Sequence, residues 1–212
     1  WTEVAPGNRR AVLSERPEMM LVAFSFEPGA IGALTPEQTD GLPEQDLGHM
    51  LVIPGFVQTH IHLCQTLMRN CADDMVLIDW LRTRIWPYEA SLDEDAIAMS
   101  ARVGLAELLL GGTTTILDMG TVNHTDVVAT QVEASGMRAH IGKCMMDTGE
   151  GVPAPMMEDR QASLRESLRL HQAWHGKDEG RIRYAFAPRF AVSCSEGMLR
   201  DVAEAAADLG VF

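Results

Sequence analysis

Several features that define common classes of protein are missing from this 212-residue sequence. It has only 17 lysines and arginines against 30 aspartates and glutamates, which excludes the basic surface that nucleic acids and anionic membranes require. No apolar run reaches the length of a membrane-spanning helix, and no signal peptide is recognisable. We therefore expect no nucleic-acid or membrane partner and a cytoplasmic protein with an acidic, solvated surface.

Paired cysteines and a glycine-rich nucleotide loop are also missing. None of the four cysteines forms a Cys-x-x-Cys pair, so the sequence predicts neither a disulfide framework nor a zinc knuckle, and isolated thiols suit a reducing cytoplasm. No Gly-x-Gly-x-x-Gly follows the first predicted strand, and a dinucleotide-binding sheet therefore has no positive support.

Two regions of different pattern are present. Residues 1–53 contain short apolar runs, such as Met20–Phe26, broken by glycine and proline, and predict a small β-rich unit. From Pro54 onward, strand-length and helix-length segments alternate, which predicts a parallel sheet with helical crossovers. The predicted strands cover residues 51–60, 113–119, 138–146 and 182–190, and Val211-Phe212 opens a fifth. The predicted helices are a stretch from Leu77 that Pro87 ends or kinks, one between the capping box Ser91–Glu94 and Gly111-Gly112, and residues 127–135, 158–174 and 195–209.

Two architectures fit this alternation. One is an open, doubly wound sheet, and the other is a (β/α)8 barrel, which takes about 250 residues for its eight repeats. Residues 51–212 supply roughly half of such a barrel.

A histidine pair follows the first predicted strand. Residues two apart on a strand point to the same face, so His60 and His62 project side by side from the run Leu51–Val57, which we interpret as a buried strand. Two imidazoles held in this way make half of a metal site. The alternative is a solvated pair on a loop. His171 and His175, four apart on a predicted helix, have the spacing of a zinc pair, but we interpret them as surface residues.

The motifs around this pair resemble those of the amidohydrolase superfamily, in the branch that contains guanine deaminase, adenosine-type deaminases and triazine hydrolases. The residues that carry the resemblance are Pro54–His62, Leu63–Leu67, Ala72–Asp74, Trp80-Leu81, Ile85–Pro87, Gly111–Thr114 with Asp118, and Ala187–Phe190 with Ser193–Ser195. The resemblance implies a metal-dependent hydrolase whose fold is α/β. Residues 1–53 would be part of a small β-sandwich, and residues 54–212 would be the first half of a (β/α)8 barrel.

The resemblance also implies a site and a reaction. His60 and His62 would be metal ligands, for zinc or alternatively iron, and Gln65 and Arg189 would bind the substrate ring. An amide offers a donor and an acceptor together, and a guanidinium is a rigid fork of donors. Metal-bound hydroxide would attack a C–N bond on a small purine- or triazine-like heteroaromatic molecule. We also expect a homo-oligomer.

The superfamily takes further ligands and a catalytic acid–base group from later strands of the barrel. No catalytic residue is identifiable in this sequence, and His124, His140, His171 and His175 do not fall where those ligands belong. We therefore expect a chain truncated after the fourth repeat. The alternative function is that of a catalytically incomplete fragment or a non-enzymatic binding or assembly module.

Overall fold

The structure, a computed structural model, describes residues 2–5, 8–16, 19–26, 53–71 and 74–211. The chain divides into two units, Trp1–Pro54 and Gly55–Phe212. In the first unit, β1 (Thr2–Ala5), β2 (Asn8–Arg16) and β3 (Met19–Phe26) form an antiparallel sheet in the order β1-β2-β3. The strand predicted at Met20–Phe26 is therefore confirmed. The apolar runs at residues 31–34 and 48–51 lie outside the described residues.

The second unit is built on parallel strands. They are β4 (Phe56–Ile61), β5 (Thr113–Asp118), β6 (Arg138–Ile141), β7 (Cys144–Met145), β8 (Ile182–Tyr184) and β9 (Ala187–Pro188). One sheet has the order β4-β5-β6-β8, and β7 pairs with β9. The order of the larger sheet follows the sequence without a reversal, which is the order of a barrel and lacks the switch point of a doubly wound sheet.

Helices connect these strands. They are a 3-10 helix (Leu63–Met68), α1 (Leu77–Trp80), a π-helical turn (Leu81–Ile85), α2 (Trp86–Ala90), α3 (Glu94–Leu110), α4 (Thr125–Ser135), a 3-10 turn (Ala154–Met156), α5 (Arg160–Trp174), a turn at Lys177–Gly180 and α6 (Glu196–Leu209). Among the described residues, no helix combines the length and the apolar character needed to cross a membrane.

The start of α3 differs from the prediction. Asp93, and not Ser91, caps the helix, because its carboxylate accepts a hydrogen bond from the Ala96 amide at 2.8 Å. The Ser91 hydroxyl instead donates to the Tyr88 carbonyl at 2.7 Å, at the end of α2. Ser91 therefore lies at the end of α2, and Asp93 is the N-cap residue of α3. A side-chain oxygen is favoured at the N-cap because it accepts from a free backbone amide of the first turn.

Pro87 does not end the helical segment in which it lies. The segment continues through Pro87 to Ala90, with Pro87 in the first turn of α2, where a missing N–H costs little. The π-helical turn at Leu81–Ile85 lies immediately before α2. A π-turn widens the helix locally, and such turns are frequent at functional sites.

The third and fourth predicted strands are each split in two. Residues 138–146 become β6 and β7, and residues 182–190 become β8 and β9. The break follows from close packing at Gly142, where an added Cβ would lie 2.7 Å from the Ala185 carbonyl oxygen. The amide of Gly142 still donates to the Asp118 carbonyl of β5 at 3.2 Å.

Two predictions about strands at the ends of this unit fail. The first strand runs from Phe56 to Ile61 and is mostly exposed rather than buried, with Val57 62% exposed. It lies at the edge of the sheet and pairs only with β5 among the described strands, so its other edge has no neighbouring strand in that part of the structure. Val211 is not in a strand, and Phe212 lies outside the described residues.

Two apolar clusters hold the second unit together. The larger one fills the space between sheet and helices and includes Ile116, Ile141 and Ile182 from the strands. The smaller one includes Met68 of the 3-10 helix, Trp86 of α2 and Cys144 of β7. Full burial of one such side chain contributes about 1.5–3 kcal/mol, so these elements are held firmly.

Candidate metal and substrate site

The two predicted metal ligands lie together at the end of β4. The ring centroids of His60 and His62 are 5.2 Å apart, and the rings meet edge to face at 79°. The alternation of side chains along a strand accounts for this placement. The carboxyl ends of parallel strands are where the functional residues of such sheets collect.

His62 has the electrostatic character of a metal ligand. Burial lowers its pKa to about 4, and the positive charge of Arg189 acts in the same direction. The ring is therefore neutral at pH 7, which is the form that binds a metal ion. Its Nδ1 is buried and has no hydrogen-bond partner within the described part of the chain.

These observations fit half of a metal site. Within residues 53–71 and 74–211, no group of three or more histidine, cysteine, aspartate or glutamate side chains is placed to hold a metal ion. Catalytic zinc sites use three protein ligands and one water, so a site of this kind would need at least one ligand besides the two imidazoles.

Gln65 shares a cleft with the histidines. It lies on the 3-10 helix that follows His62, and the cleft of about 440 Å³ is lined by His60, His62, Gln65, Trp80 and Ile85, among others. The helix is anchored from α3, because the buried Ser100 hydroxyl donates to the Leu63 carbonyl at 2.7 Å and accepts from the Thr66 amide at 3.0 Å.

Arg189 lies directly after β9, with its side chain only 3% exposed. Its Nη1 and Nη2 bind the carboxylate of Glu89 in a two-pronged pair, with 2.9 Å between Nη2 and Oε1. The same Oε1 accepts a hydrogen bond of 2.6 Å from the Gln65 side-chain amide. The two predicted substrate-binding residues are thus joined through Glu89, which is 100 residues from Arg189 along the chain.

Glu89 was missed by the sequence-based prediction. Its side chain is 3% exposed, and it lies in the segment Ile85–Leu92, which is mostly apolar. The sequence signal for Glu89 is a single carboxylate among apolar residues. Such a carboxylate is expected to be buried, and a buried charge needs a partner.

A second buried carboxylate supports the end of β4. Asp118, at the end of β5, accepts a hydrogen bond of 2.9 Å from the Leu63 amide, directly after His62. Burial raises its pKa to about 7, against the opposite effect of the hydrogen bonds from the amides of Leu63 and Gly120. Its Oδ2 has no partner among the residues that the structure describes.

Three further histidines, His124, His171 and His175, are not among the residues that line the cleft. His124 pairs with Glu94 at 3.3 Å, and His171 stacks on His175 with 4.7 Å between their ring centroids. Nδ1 of His175 accepts a hydrogen bond from the Tyr184 amide at 3.3 Å. The stacked pair is therefore held by packing and a backbone hydrogen bond. His175 is exposed, as predicted, whereas His171 is half-buried and not a surface residue.

Comparisons with known proteins identify the relatives of this chain. A profile of the amidohydrolase family matches residues 51–212. A 5'-deoxyadenosine deaminase of Methanothermobacter thermautotrophicus is 41% identical over 153 residues, which are 72% of this chain and 34% of that protein. The chain spans between 33% and 43% of the length of the curated relatives that it matches.

Solved structures show the same likeness. A guanine deaminase from C. acetobutylicum matches with a TM-score of 0.77 at 20% identity, over 96% of this chain and 50% of that one. E. coli guanine deaminase matches at 31% identity with a TM-score of 0.63, over 74% and 35%. An adenosine deaminase from Xanthomonas campestris with bound zinc matches at 29% identity with a TM-score of 0.62, over 74% and 34%. The predicted fold class, the first half of a (β/α)8 hydrolase barrel, is confirmed.

Proposed function

This chain belongs to the amidohydrolase family, and we propose that it carries part of the active site of a metal-dependent deaminase. The reaction replaces the amino group on a ring carbon of a purine-like heteroaromatic molecule by oxygen from water and releases ammonia. The observation that supports this proposal best is the placement of His60, His62 and Gln65 around one cleft at the end of β4. The relative with 41% identity is a deaminase.

In this proposal, His60 and His62 hold the metal ion, which is zinc, with iron as the alternative. When bound, such an ion supplies Lewis-acid chemistry and activates water near neutral pH. His62 is already neutral at pH 7, so it binds the ion without competition from protons. Gln65 on the wall of the cleft binds the ring of the substrate through hydrogen bonds. Arg189 is the second substrate-binding residue in this proposal, and Glu89 joins it to Gln65.

The domain boundaries, the cellular location and the oligomeric state are part of the same proposal. Residues 1–53 form part of a small β-sandwich, and residues 54–212 form the first half of the barrel. The cytoplasmic location and the homo-oligomer remain predictions. A non-enzymatic binding or assembly module is not favoured, because the relatives named above are deaminases.

Metal analysis of the purified full-length protein that carries this chain tests the histidines. His60→Ala should lose the bound metal, because one imidazole and water hold zinc far more weakly than a multidentate site. His171→Ala removes a histidine outside the cleft and should retain the metal. Stoichiometric zinc in the His60→Ala protein would contradict the assignment.

Ammonia release tests the reaction. The metal-loaded full-length protein is incubated with guanine and with adenosine, and ammonia is measured. Release that depends on the metal supports the deaminase, and metal retention without release from either purine would favour the binding module.

A further inference from the structure

The π-helical turn at Leu81–Ile85 forms part of the wall of the cleft. Trp80, directly before the turn, and Ile85, at its end, both line the cleft. The Trp86 amide donates to the Leu81 carbonyl, five residues earlier, which is the hydrogen bond of a π-helix. A change to the α-helical register would turn Trp80 by one residue, about 100° around the helix axis. The position of Trp80 on the wall therefore depends on the π-helical register.

Arg82 joins this turn to the loop between β7 and α5. Its Nε donates to the Glu150 carbonyl at 3.0 Å, and its Nη2 donates to the Glu150 carboxylate at 3.1 Å. The stem of Arg82 lies across Gly151, where an added Cβ would be 3.3 Å from Cγ of the arginine. Gly151 also has a φ of +80°, which favours glycine. The glycine thus provides both the space and the backbone conformation for this contact.

The two ends of the same loop are anchored in the body of the protein. At its start, the Asp147 carboxylate accepts a hydrogen bond of 2.6 Å from the Ser195 amide. At its end, Glu158 forms an ion pair with Lys143, whose side chain is 3% exposed. Glu150, in contrast, is 87% exposed at the tip of the loop. The loop is therefore fixed at both ends, and its tip reaches the π-helical turn.

Apolar packing also holds the loop against the turn. Leu81 and Ile85 of the turn and Met156 of the loop belong to the smaller apolar cluster, and Val152 of the loop packs against it. Because apolar burial is non-directional, it does not by itself select one helical register. Hydrogen bonds are directional, and the two that Arg82 donates can make this selection.

We propose that Arg82 is a positioning residue whose contact with Glu150 maintains the π-helical register and thereby keeps Trp80 on the wall of the cleft. The effect of Arg82 on substrate binding rests on the proposed deaminase function, whereas its effect on the wall does not. An exposed ion pair contributes little to stability, so its loss should move the wall without unfolding the protein. The metal ligands lie on β4, and the chemical step should therefore be unaffected.

Steady-state kinetics of the metal-loaded full-length protein test the effect on binding. Arg82→Met retains the stem across Gly151 and loses both hydrogen bonds. We expect its KM for the purine that wild type deaminates to rise about three- to five-fold, as the loss of an exposed ion pair allows, and its kcat to be unchanged. Glu150→Ala leaves the carbonyl acceptor in place, so its KM should rise less.

A matched control separates this effect from the loss of a surface charge. Arg200 forms an exposed ion pair with Glu196 on α6. Arg200→Met therefore removes the same kind of pair outside the cleft, and its KM and kcat should equal those of wild type. Metal content is measured for each variant.

Fluorine NMR of protein labelled with fluorotryptophan observes the wall without any activity. The resonance of Trp80, assigned by its loss in Trp80→Phe, should shift in Arg82→Met and stay in place in Arg200→Met. The resonance of Trp174, which lies on α5, should stay in place in both variants.

These measurements distinguish the inference from the proposed function. An unmoved Trp80 resonance in Arg82→Met would overturn the inference, whether or not the protein deaminates purines. If wild type deaminates and the KM of Arg82→Met equals that of wild type, the role of Arg82 in binding is overturned and the proposed function stands. If no purine is deaminated, the proposed function fails, and the Trp80 resonance alone decides whether Arg82 positions the wall.

Discussion

The buried carboxyl of Asp118 makes the stability of this protein depend on pH in an unusual direction. Its pKa is about 7 in the folded protein, against 3.8 for an exposed aspartate. Between these values Asp118 is more protonated in the folded state than in the unfolded state, so its contribution to the free energy of unfolding falls as the pH rises from about 4 to about 7 and then levels off. A tenfold change in proton affinity is worth about 1.4 kcal/mol, which gives a loss of about 4 kcal/mol over the whole interval.

Asp118→Asn isolates this contribution. The amide oxygen retains the acceptor for the Leu63 amide, and no proton can be lost, so the variant should match wild type near pH 4 and exceed it by up to about 4 kcal/mol at pH 8. Urea unfolding at several pH values, with a chelator present to remove metal, measures the difference. Asp93→Asn, at an exposed helix cap, controls for the loss of one negative charge. A constant difference between Asp118→Asn and wild type from pH 4 to pH 8 would refute the reasoning.

Two further predictions concern the packing around the site and are read from the free energy of unfolding in urea. Gly120→Ala should cost more than about 3 kcal/mol, because φ is +67° and a Cβ would lie 1.6 Å from the Gly142 carbonyl oxygen. Gly136→Ala, at φ +77° with nothing within 4 Å, should cost only about 1–2 kcal/mol, and equal costs would contradict the role of the close approach. Ser100→Ala should cost about 1–3 kcal/mol, since it leaves the Leu63 carbonyl without its buried donor, and a loss below about 0.5 kcal/mol, the limit for an ordinary surface change, would contradict that role.

The parts of the fold that sequence predicts well are those determined by local signals. The helix predicted at residues 195–209 is observed as Glu196–Leu209, because Ser195 caps its start and Gly210 adopts the left-handed conformation at its end. The helix before Gly111 also ends as predicted, because the following Gly112 adopts a left-handed φ of +83°. Alternation of strands and helices was likewise sufficient to predict the parallel sheet.

The parts that sequence did not predict depend on contacts between distant segments. Splitting of the third and fourth strands follows from the approach of Gly142 to Ala185, which no local pattern encodes. The exposure of β4 follows from its place at the sheet edge, because an apolar run reads the same at an edge as in the centre. In the site, the spacing of His60 and His62 is a local signal that the sequence shows. The pairing of Glu89 with Arg189 joins residues 100 positions apart, and no local signal predicts it.

Two buried carboxylates give the candidate site its geometry without belonging to the predicted set of ligands. Asp118 fixes the backbone directly after His62, and Glu89 fixes the side chains of Gln65 and Arg189. They act by different means, because Asp118 accepts from a backbone amide and lacks a cationic partner among the described residues, whereas Glu89 is compensated by a guanidinium. An adjacent cation favours the ionised form of a carboxyl, while burial without such a cation favours the protonated form. The end of β4 should therefore respond to pH through Asp118.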